Sequence, residues 1–399
     1  MRIIVQKYGG TSLADTDRIK EVARQVVHQR EQGFNVVVVV SAMGETTDRL
    51  IDMAHQINPD PARRELDMLV TVGERISMAL LSMAIQSLGH PAISFTGSQS
   101  GIITNASHVN ARIIEIRPFR LMDELEKGKI VIIAGFQGMS YNREITSLGR
   151  GGSDTTAVAM AAALNAERCD IYSDVDGVYS ADPRVVLSAQ KLQEISYTEM
   201  MALAKHGAVV LNAAAVEFAR RKGIALYTRS SFGKGSKGTI IRQGQQTTDR
   251  IVSAVTYKDV WLVRWGHNNP GPDITARAKE FGAKVEYLTQ ASDGMGMLLL
   301  DVSDLLCTEE IFEKMLSKTI KNTGIINDLS MITVVGEGVL RPEIYECFIK
   351  NAGENILTLA TPLSLSTLVN RDKTMGLIRR IHEHCVEVVA TPSGKKEKI

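Results

Sequence analysis

The sequence has almost no net charge, few cysteines and no long apolar run. Lys and Arg total 46 against 45 Asp and Glu, so no overall field would attract nucleic acid or an anionic membrane. The four cysteines are far apart in the sequence without CxxC spacing, which argues against zinc and favours reduced thiols in a cytoplasm. The apolar run from Ala157 to Leu164 is the longest, far below the ~18–20 residues that span a bilayer. The hydrophobic stretch in the first residues, MRIIVQKYGG, is short and leads straight into a glycine turn, so we expect no signal peptide there. We therefore expect a cytoplasmic protein without membrane or nucleic-acid partners.

The composition is otherwise that of an ordinary globular protein. The 399 residues are 44% hydrophobic and 23% charged, with no collagen-like or low-complexity bias. A chain of this length suffices for two or three domains with buried cores.

The first half of the sequence alternates strand and helix signals, with polar or glycine-rich loops after the strands. The strand signals are Arg2 to Gln6, Asn35 to Val40, Ala92 to Phe95, Ile130 to Ala134, Asp170 to Ser173 and Ile224 to Tyr227. The longer helical patterns run from Ala62 to Ser87 and from Asp154 to Leu164. This alternation predicts an α/β domain with a mostly parallel sheet sandwiched by helices. Ligands of such sheets bind at the carboxyl ends of the strands.

The second half begins after a stretch of small and polar residues, Phe232 to Thr248, whose latter part we interpret as a linker. Shorter apolar runs then form two similar blocks, which open with the strand signals Val252 to Val263 and Met331 to Val335. Each block predicts an α+β unit with the element order βαββαβ. We expect domains over 1–245, 250–322 and 325–390, and a disordered tail over 391–399.

The first motif with chemical potential is Lys7-Tyr8-Gly9-Gly10, at the end of the first strand signal. Two glycines between a strand and a helix let backbone N–H groups approach a phosphate, and the helix N-terminus favours its charge. The alternative is a simple Gly-Gly turn with a surface lysine. Neither the Walker A pattern nor GxGxxG occurs in the chain.

The second motif is Gly149-Arg150-Gly151-Gly152-Ser153-Asp154. Glycines on both sides free the Arg150 guanidinium to bind a carboxylate with two hydrogen bonds, while Ser153 and Asp154 precede a helix and can face a ligand. An ordinary N-capped loop remains the alternative.

The third motif runs from Ser173 to Tyr179 and continues to Arg184, with three aspartates, a tyrosine and an arginine. Adenine stacking, ribose hydrogen bonds and a polyphosphate contact would account for this mixture. The spacing and the terminal Glu of an EF-hand are absent, so a calcium loop is disfavoured. A solvated acidic turn remains open.

Two shorter segments complete the candidate sites. Ser41 to Thr47 follows the valine-rich strand, and Glu74 follows Gly73 inside the long helical pattern. A Glu beside a Gly in a helix is usually a surface residue, so Glu74 alone carries little weight.

Together these segments resemble the amino-acid kinase superfamily and, within it, the aspartate kinases. The matching motifs are KYGGTS, SAMGETT, VGERIS, GFQG, GRGGSD, SDVDGVYSADPR and RSSFGKGSKGTII, over residues 1 to about 242. The second half resembles the tandem ACT domains of such kinases, with NPGP at Asn269 to Pro272 and GEG at Gly336 to Gly338 in corresponding turns.

The resemblance implies transfer of the γ-phosphoryl group of ATP to the side-chain carboxylate of L-aspartate, giving 4-phospho-L-aspartate. Mg2+ would bridge the phosphates with few protein ligands, so no metal-ligating residue is assigned. The resemblance also implies a homodimer formed through the ACT domains and a possible amino-acid effector bound there.

The resemblance assigns roles to individual residues. Lys7 and Asp154 are implied in catalysis. The implied aspartate-binding residues are Ser41, Thr47, Glu74, Phe136, Arg150 and Ser153. The implied nucleotide-binding residues are Gly9, Gly10, Ser173, Asp174, Tyr179 and Arg184.

The sequence departs from the family pattern at two places. Val209 stands where the family has a lysine near the nucleotide phosphates, and Lys205 or Arg229 could compensate. The segment Asn355 to Val369 is one residue shorter than in lysine- or threonine-regulated members and contains Pro362, which lacks a backbone donor. We therefore expect altered or weak feedback by lysine and threonine.

Alternative functions remain. Another carboxylate kinase of this fold, acting on glutamate or N-acetylglutamate, is disfavoured by VGERIS, GRGGSD and the ACT-like pair. A catalytically weak amino-acid sensor is favoured only by Val209. A dehydrogenase is disfavoured because its glycine fingerprint is missing.

Overall fold

The computed structural model describes residues 1–149, 151–208, 210–232, 238–244, 251–266, 271–290, 295–303, 305, 307–319, 323–353 and 356–387. Arg150, Val209 and the predicted tail over 391–399 lie outside the described residues, as do parts of the 232–248 and 269–272 segments. The chain forms two compact units. The first unit comprises Met1–Val178, Lys191–Ala204 and Val209–Gln246, and the second comprises Tyr179–Gln190, Lys205–Ala208 and Thr247–Ile399.

The first unit contains strands β1 to β12 and helices α1 to α8. The strands are β1 (Ile3–Tyr8), β2 (Asn35–Val40), β3 (Ala92–Phe95), β4 (Ile102–Thr104), β5 (Ile113–Ile116), β6 (Ile130–Ala134), β7 (Gln137–Ser140), β8 (Ile145–Ser147), β9 (Arg168–Ser173), β10 (Glu194–Ser196), β11 (Leu226–Ser230) and β12 (Thr239–Arg242). The helices are α1 (Thr16–Glu31), α2 (Thr46–Ile57), α3 (Arg63–Val70), α4 (Val72–Ser87), α5 (Phe119–Glu126), α6 (Gly152–Ala163), α7 (Tyr197–Lys205, whose last residue belongs to the second unit) and α8 (Ala213–Lys222).

The main sheet has the strand order β10-β12-β11-β9-β1-β2-β6-β3, and its pairs are parallel except β11 with β12. Every residue of β6 is buried, and so are the valines of β2, as expected for strands covered by helices on both faces. The predicted mostly parallel α/β fold is confirmed. The strands β4, β5, β7 and β8 form a second, smaller sheet with the order β5-β4-β7-β8.

The structure differs from the sequence prediction at several places in this unit, including the long helix, the linker and β11, which runs over Leu226–Ser230 where Ile224 to Tyr227 was predicted. The predicted single helix from Ala62 to Ser87 is interrupted at Thr71, between α3 and α4. There the Gln137 side-chain amide donates to the Thr71 carbonyl at 3.0 Å, and the Thr71 hydroxyl donates to the Asp67 carbonyl. The expected linker also contains a strand, β12, which pairs with β11.

The segment Arg63–Ser87 is long and apolar enough, by length and composition, to cross a membrane. Within the fold, however, α4 packs against α1, β3 and β6 and buries the carboxylate of Glu74. This is the environment of a core helix in a globular domain.

The second unit is built on one antiparallel sheet with the strand order β14-β15-β13-β16-β18-β17. Its strands are β13 (Ala254–Trp265), β14 (Lys284–Gln290), β15 (Gly296–Asp301), β16 (Thr323–Val335), β17 (Leu357–Thr361) and β18 (Ser364–Asn370). Its helices are α9 (Gly271–Glu280), α10 (Glu309–Thr319), α11 (Pro342–Ala352) and α12 (Thr374–Ile381). The long strands β13 and β16 pair along nearly their whole length, so the two blocks expected from the sequence share one sheet.

The cysteines are free thiols, but two that are distant in sequence meet in the second unit. The Sγ atoms of Cys347 and Cys385 lie 3.2 Å apart. Burial, together with the contact to Cys347, raises the pKa of the Cys385 thiol well above its usual range. The buried thiol therefore stays protonated at neutral pH.

Candidate active site

The candidate site begins at the carboxyl edge of the main sheet, where β1 lies between β9 and β2 and β6 follows β2. Parallel pairing brings the ends of these strands to the same edge. Gly9, Ser41, Phe136 and Ser173 lie at or just beyond those ends. The residues predicted after separate strands therefore meet at one edge, as the parallel fold requires.

Lys7 and Asp154 form the ion pair at the centre of this edge. Lys7 Nζ lies 2.7 Å from Asp154 Oδ1, and the two side chains are 11% and 12% exposed. Lys7 is the next-to-last residue of β1, whereas Asp154 lies in the first turn of α6. A Cβ at Gly9 would lie 3.6 Å from Lys7 Nζ, so the glycine leaves open space beside the ammonium group. We find no second ion-pair partner for Lys7 in the described part of the chain, which leaves donors for a ligand.

Gly10 allows the segment after β2 to approach β1 closely. A Cβ at Gly10 would lie 2.8 Å from the Gly44 carbonyl oxygen and 3.0 Å from that of Ala42. The Gly44 N–H donates to the Gly10 carbonyl at 3.0 Å, which fixes this approach. The predicted Ser41–Thr47 segment is thereby held against the Gly9-Gly10 turn.

Ser41 and Ser153 connect the end of β2 with the start of α6, since their hydroxyl oxygens lie 2.8 Å apart. Phe136 closes the same corner. Its φ of 66° is left-handed, an unusual conformation for a bulky residue, and its N–H donates to the Thr156 hydroxyl. Thr47 is half-buried in the first turn of α2. The structure thus brings Ser41, Ser153 and Phe136 together around the first turn of α6.

Glu74 is a buried carboxylate with unused hydrogen-bonding capacity. It lies in the first turn of α4, is 3% exposed, and its Oε1 accepts the Ala42 N–H at 3.2 Å. Its Oε2 has no hydrogen-bond partner among the described residues. Burial raises the pKa of the Glu74 carboxyl to about 7. Such a group would gain stability from a cationic donor, for which an ammonium group is suited.

The other four of the six predicted nucleotide-binding residues belong to different units. Ser173 and Asp174 follow β9 in the first unit, where the Ser173 carbonyl accepts the hydroxyl and the N–H of Ser231. Tyr179 and Arg184 belong to the second unit, and the Arg184 guanidinium pairs with Asp182 there. Their joint role therefore stays a prediction.

Of the two cations proposed to compensate for Val209, Arg229 has partners of its own. Arg229 Nε donates to the buried Asp170 carboxylate at 3.1 Å, and the guanidinium lies over the Tyr227 ring. The Lys205 backbone carbonyl accepts the Lys258 ammonium, and the Lys205 side chain is exposed.

A cluster around Asp67 was not predicted from the sequence. This carboxylate on α3 is fully buried and accepts hydrogen bonds from Ser147, His108 and the Val109 backbone. An acidic residue between the apolar positions Leu66 and Val70 is the sequence signal that could have revealed it.

Comparison with known proteins agrees with this architecture. The model of the amino acid kinase family matches residues 2–230. Aspartokinase 2 of Bacillus subtilis is 40% identical over 399 residues, covering 96% of this chain and 97% of that protein. The aspartokinase of Mycobacterium bovis is 56% identical over 242 residues, which is 60% of this chain, so the chain spans 57% of that relative's length.

Among solved structures, E. coli aspartokinase III in complex with aspartate and ADP has a similar fold, with a TM-score of 0.80 at 23% identity. The match covers 96% of this chain and 99% of that one. The chain therefore belongs to the amino acid kinase family, and its relative of matching length places it among the aspartokinases of that family.

Proposed function

We propose that this chain transfers the γ-phosphoryl group of ATP to the side-chain carboxylate of L-aspartate, giving 4-phospho-L-aspartate and ADP. The observation that carries the proposal is the continuity between a cationic and an anionic subsite. Lys7 pairs with Asp154, whose neighbour Ser153 contacts Ser41, and the next residue, Ala42, donates to Glu74. A cation that can bind phosphate and a carboxylate that can accept an ammonium group therefore lie in one contiguous site.

In the proposed reaction a carboxylate oxygen of aspartate attacks the γ-phosphorus while the bond to the ADP oxygen breaks. Catalysis of phosphoryl transfer consists mainly of positioning and charge neutralisation. Lys7 would stabilise the charge of the transferring group, and Asp154 would hold the Lys7 ammonium in place. Gly10 would bring its backbone N–H to the phosphates, whereas the Gly9 N–H donates to the Tyr172 carbonyl at 3.2 Å, so Gly9 would only leave room for them.

The aspartate-binding roles follow the charges of the substrate. The open Oε2 of Glu74 would accept the α-ammonium group, and Arg150 would bind the α-carboxylate with two hydrogen bonds. Ser41, Thr47, Phe136 and Ser153 would line the site. Ser173, Asp174, Tyr179 and Arg184 would contact the nucleotide.

Magnesium fits this donor set as an ion held largely by the nucleotide. The described residues contain no group of three or more His, Cys, Asp or Glu side chains able to hold a metal, whereas Mg2+ commonly takes one or two carboxylates plus phosphates and water. Asp154 is the carboxylate beside Lys7 in the proposed site. Bound Mg2+ would neutralise phosphate charge.

We further propose a cytoplasmic homodimer whose second unit forms an ACT-like pair with a possible amino-acid effector. The predicted domain bounds, 1–245, 250–322 and 325–390, belong to this proposal. Feedback by lysine or threonine is proposed to be altered or weak, but Pro362 does not support this proposal. Pro362 lies in the two-residue turn between β17 and β18. Its missing N–H therefore removes no backbone hydrogen-bond donor from either strand. The shorter segment remains the reason for the proposal.

An ATP-dependent hydroxamate assay tests substrate and regulation together. Aspartate should give product, whereas glutamate and N-acetylglutamate should give little. Most of the activity on aspartate should remain when lysine, threonine or both are added at 1 mM, about the upper end of common KM values. Product from glutamate but not aspartate would contradict the substrate, and strong inhibition below 1 mM would contradict weak feedback.

Replacement of Arg150 tests the α-carboxylate assignment. Arg150→Ala should raise the aspartate KM about 10- to 100-fold, because charged hydrogen bonds contribute about 1.5–3 kcal/mol, and should leave the ATP KM nearly unchanged. Arg24→Ala, at an exposed arginine of α1, is the control. An unchanged aspartate KM in Arg150→Ala would show the assignment to be wrong.

A further inference from the structure

The Asp67 carboxylate joins three separate parts of the first unit. Oδ1 accepts the Ser147 hydroxyl of β8 at 2.5 Å and the Val109 N–H at 3.1 Å. Oδ2 lies 2.7 Å from His108 Nδ1. Asp67 itself is completely buried. A carboxylate so enclosed cannot reach a substrate, and its hydrogen bonds instead fix the loop that carries His108 and Val109.

That loop, residues 105–112, is closed on itself and on β8. The Asn105 side chain accepts the Arg112 N–H at 2.8 Å, and the Ala111 N–H donates to the Ser147 carbonyl at 2.8 Å. Val109 has a left-handed φ of 69°, which is strained for a β-branched residue. The strained conformation persists because Asp67 holds the Val109 N–H.

The loop lies directly against the glycine turn that precedes α6. A Cβ at Gly149 would lie 3.3 Å from both the Asn110 Oδ1 and the Val109 carbonyl oxygen. A Cβ at Gly151 would lie 2.3 Å from the Asn212 side chain. Both glycines have left-handed φ values, 75° and 70°. Gly149 thus lies against the loop that Asp67 fixes, and Gly151 lies against Asn212.

We propose that Asp67 is a positioning residue for recognition of the substrate α-carboxylate. It acts through Val109 and Asn110 on Gly149. Gly149 is the chain neighbour of Arg150, the residue that the proposed function assigns to that carboxylate. The inference rests on the proposed function. Displacement of a recognition turn by about 1 Å can cost about 100-fold in efficiency, so a distant buried carboxylate can control substrate affinity.

The test compares Asp67→Asn with Thr146→Val in the full chain. Thr146 precedes Ser147 on β8, is equally buried, and its hydroxyl lies 2.6 Å from that of Thr104 instead of contacting Asp67. Asp67→Asn should raise the aspartate KM about 10- to 100-fold with the ATP KM within about twofold. Thr146→Val should lower stability and leave both KM values within about twofold.

A substrate analogue separates positioning from general damage. Wild-type enzyme should prefer aspartate over its α-amide, which keeps the reacting carboxylate but lacks the α-carboxylate charge. Asp67→Asn should reduce that preference, and in an Arg150→Ala background the Asp67 substitution should change it little further, because both act on the same contact.

Several results would overturn the inference. The first is a wild type that is active on aspartate and an Asp67→Asn variant that is only less stable, or whose aspartate and ATP KM values rise equally. This result would overturn the inference and leave the proposed function intact. Failure of the wild type to phosphorylate aspartate would overturn the proposed function and this inference with it. If Asp67→Asn does not fold, Ser147→Ala removes one hydrogen bond to the same carboxylate and is judged by the same aspartate-to-ATP split.

Discussion

Two buried lysines, Lys7 in the first unit and Lys258 in the second, have opposite hydrogen-bonding environments. Lys258 Nζ lies 2.8 Å from Glu286 Oε1, 2.9 Å from Asp301 Oδ2 and 2.8 Å from the Lys205 carbonyl oxygen. These partners match the three donors of an ammonium group. Lys7 has Asp154 as its ion-pair partner and a glycine beside its Nζ.

In this respect a structural lysine differs from the lysine that we propose for catalysis. Burial alone would raise the pKa of Asp301, but Lys258 and Ser303 outweigh burial and the pKa is lowered, so Asp301 is ionised at neutral pH. Burial and the neighbouring lysines lower the pKa of His206 to about 4, so this side chain adds no charge. Lys258 has no capacity left for a ligand, whereas Lys7 has.

Loss of the Lys258 ammonium should have the largest effect on stability. Lys258→Met would leave two carboxylates, each about 7% exposed, without their cation, and breaking a buried ion pair costs about 3–5 kcal/mol. The denaturant midpoint of the second unit should fall accordingly, while kcat of the folded variant stays within about twofold. Lys279→Met, at an exposed lysine of α9, is the control and should unfold like the wild type. An unchanged midpoint in Lys258→Met would break the comparison.

Replacement of Lys7 should chiefly affect the reaction. Lys7→Met should lower kcat about 100- to 1000-fold, because an electrostatic donor aimed at developing charge contributes about 3–4 kcal/mol to transition-state stabilisation. Its denaturant midpoint should fall less than that of Lys258→Met, because one ion-pair partner is lost instead of two. Lys20→Met, at an exposed lysine of α1, provides the matched control. A kcat close to that of the wild type would remove Lys7 from the proposed mechanism.

The sequence predicted the central strands well because each is a short apolar run that ends at a polar or glycine-rich loop. The valine-rich β2 has the predicted bounds, and β1 extends only two residues beyond its predicted end. The break at Thr71 could not be predicted, since Arg63–Ser87 has a continuous helical pattern and the interruption depends on the distant Gln137 amide.

The ionic clusters were harder to predict because their partners come from separate elements. Lys258 meets Asp301 through pairing of β13 with β15, and Glu286 lies where the register of β14 shifts, a bulge that redirects a side chain. Asp67 meets Ser147 and His108 across 80 and 41 residues. Motif resemblance selected Lys7, Glu74 and Asp154, but it gave neither the Lys7–Asp154 distance nor the open oxygen of Glu74.

The carboxylates repeat the contrast between the lysines. Asp301 is fully paired and has a lowered pKa, whereas Glu74 has an unpartnered oxygen and burial raises its pKa to about 7. Between the unfolded value of 4.5 and about 7 the folded state holds the extra proton, so this contribution to stability is complete below pH 4.5 and is lost as pH rises through 7. A shift of this size corresponds to about 3 kcal/mol.

Glu74→Gln tests this contrast with the smallest expected effect. Glutamine does not ionise, so the variant does not lose this stability as the pH rises. Without substrate, its free energy of unfolding relative to that of the wild type should increase by about 3 kcal/mol from pH 4.5 to pH 8. Denaturation at the two pH values measures this change. Since an ammonium group pairs only with the ionised carboxylate, kcat/KM for aspartate should rise with pH and level off above about 7 in the wild type. In Glu74→Gln it should be low and nearly independent of pH over that range. Equal pH profiles in the two proteins would mean that Glu74 is a satisfied core residue like Asp301 and does not receive the substrate ammonium.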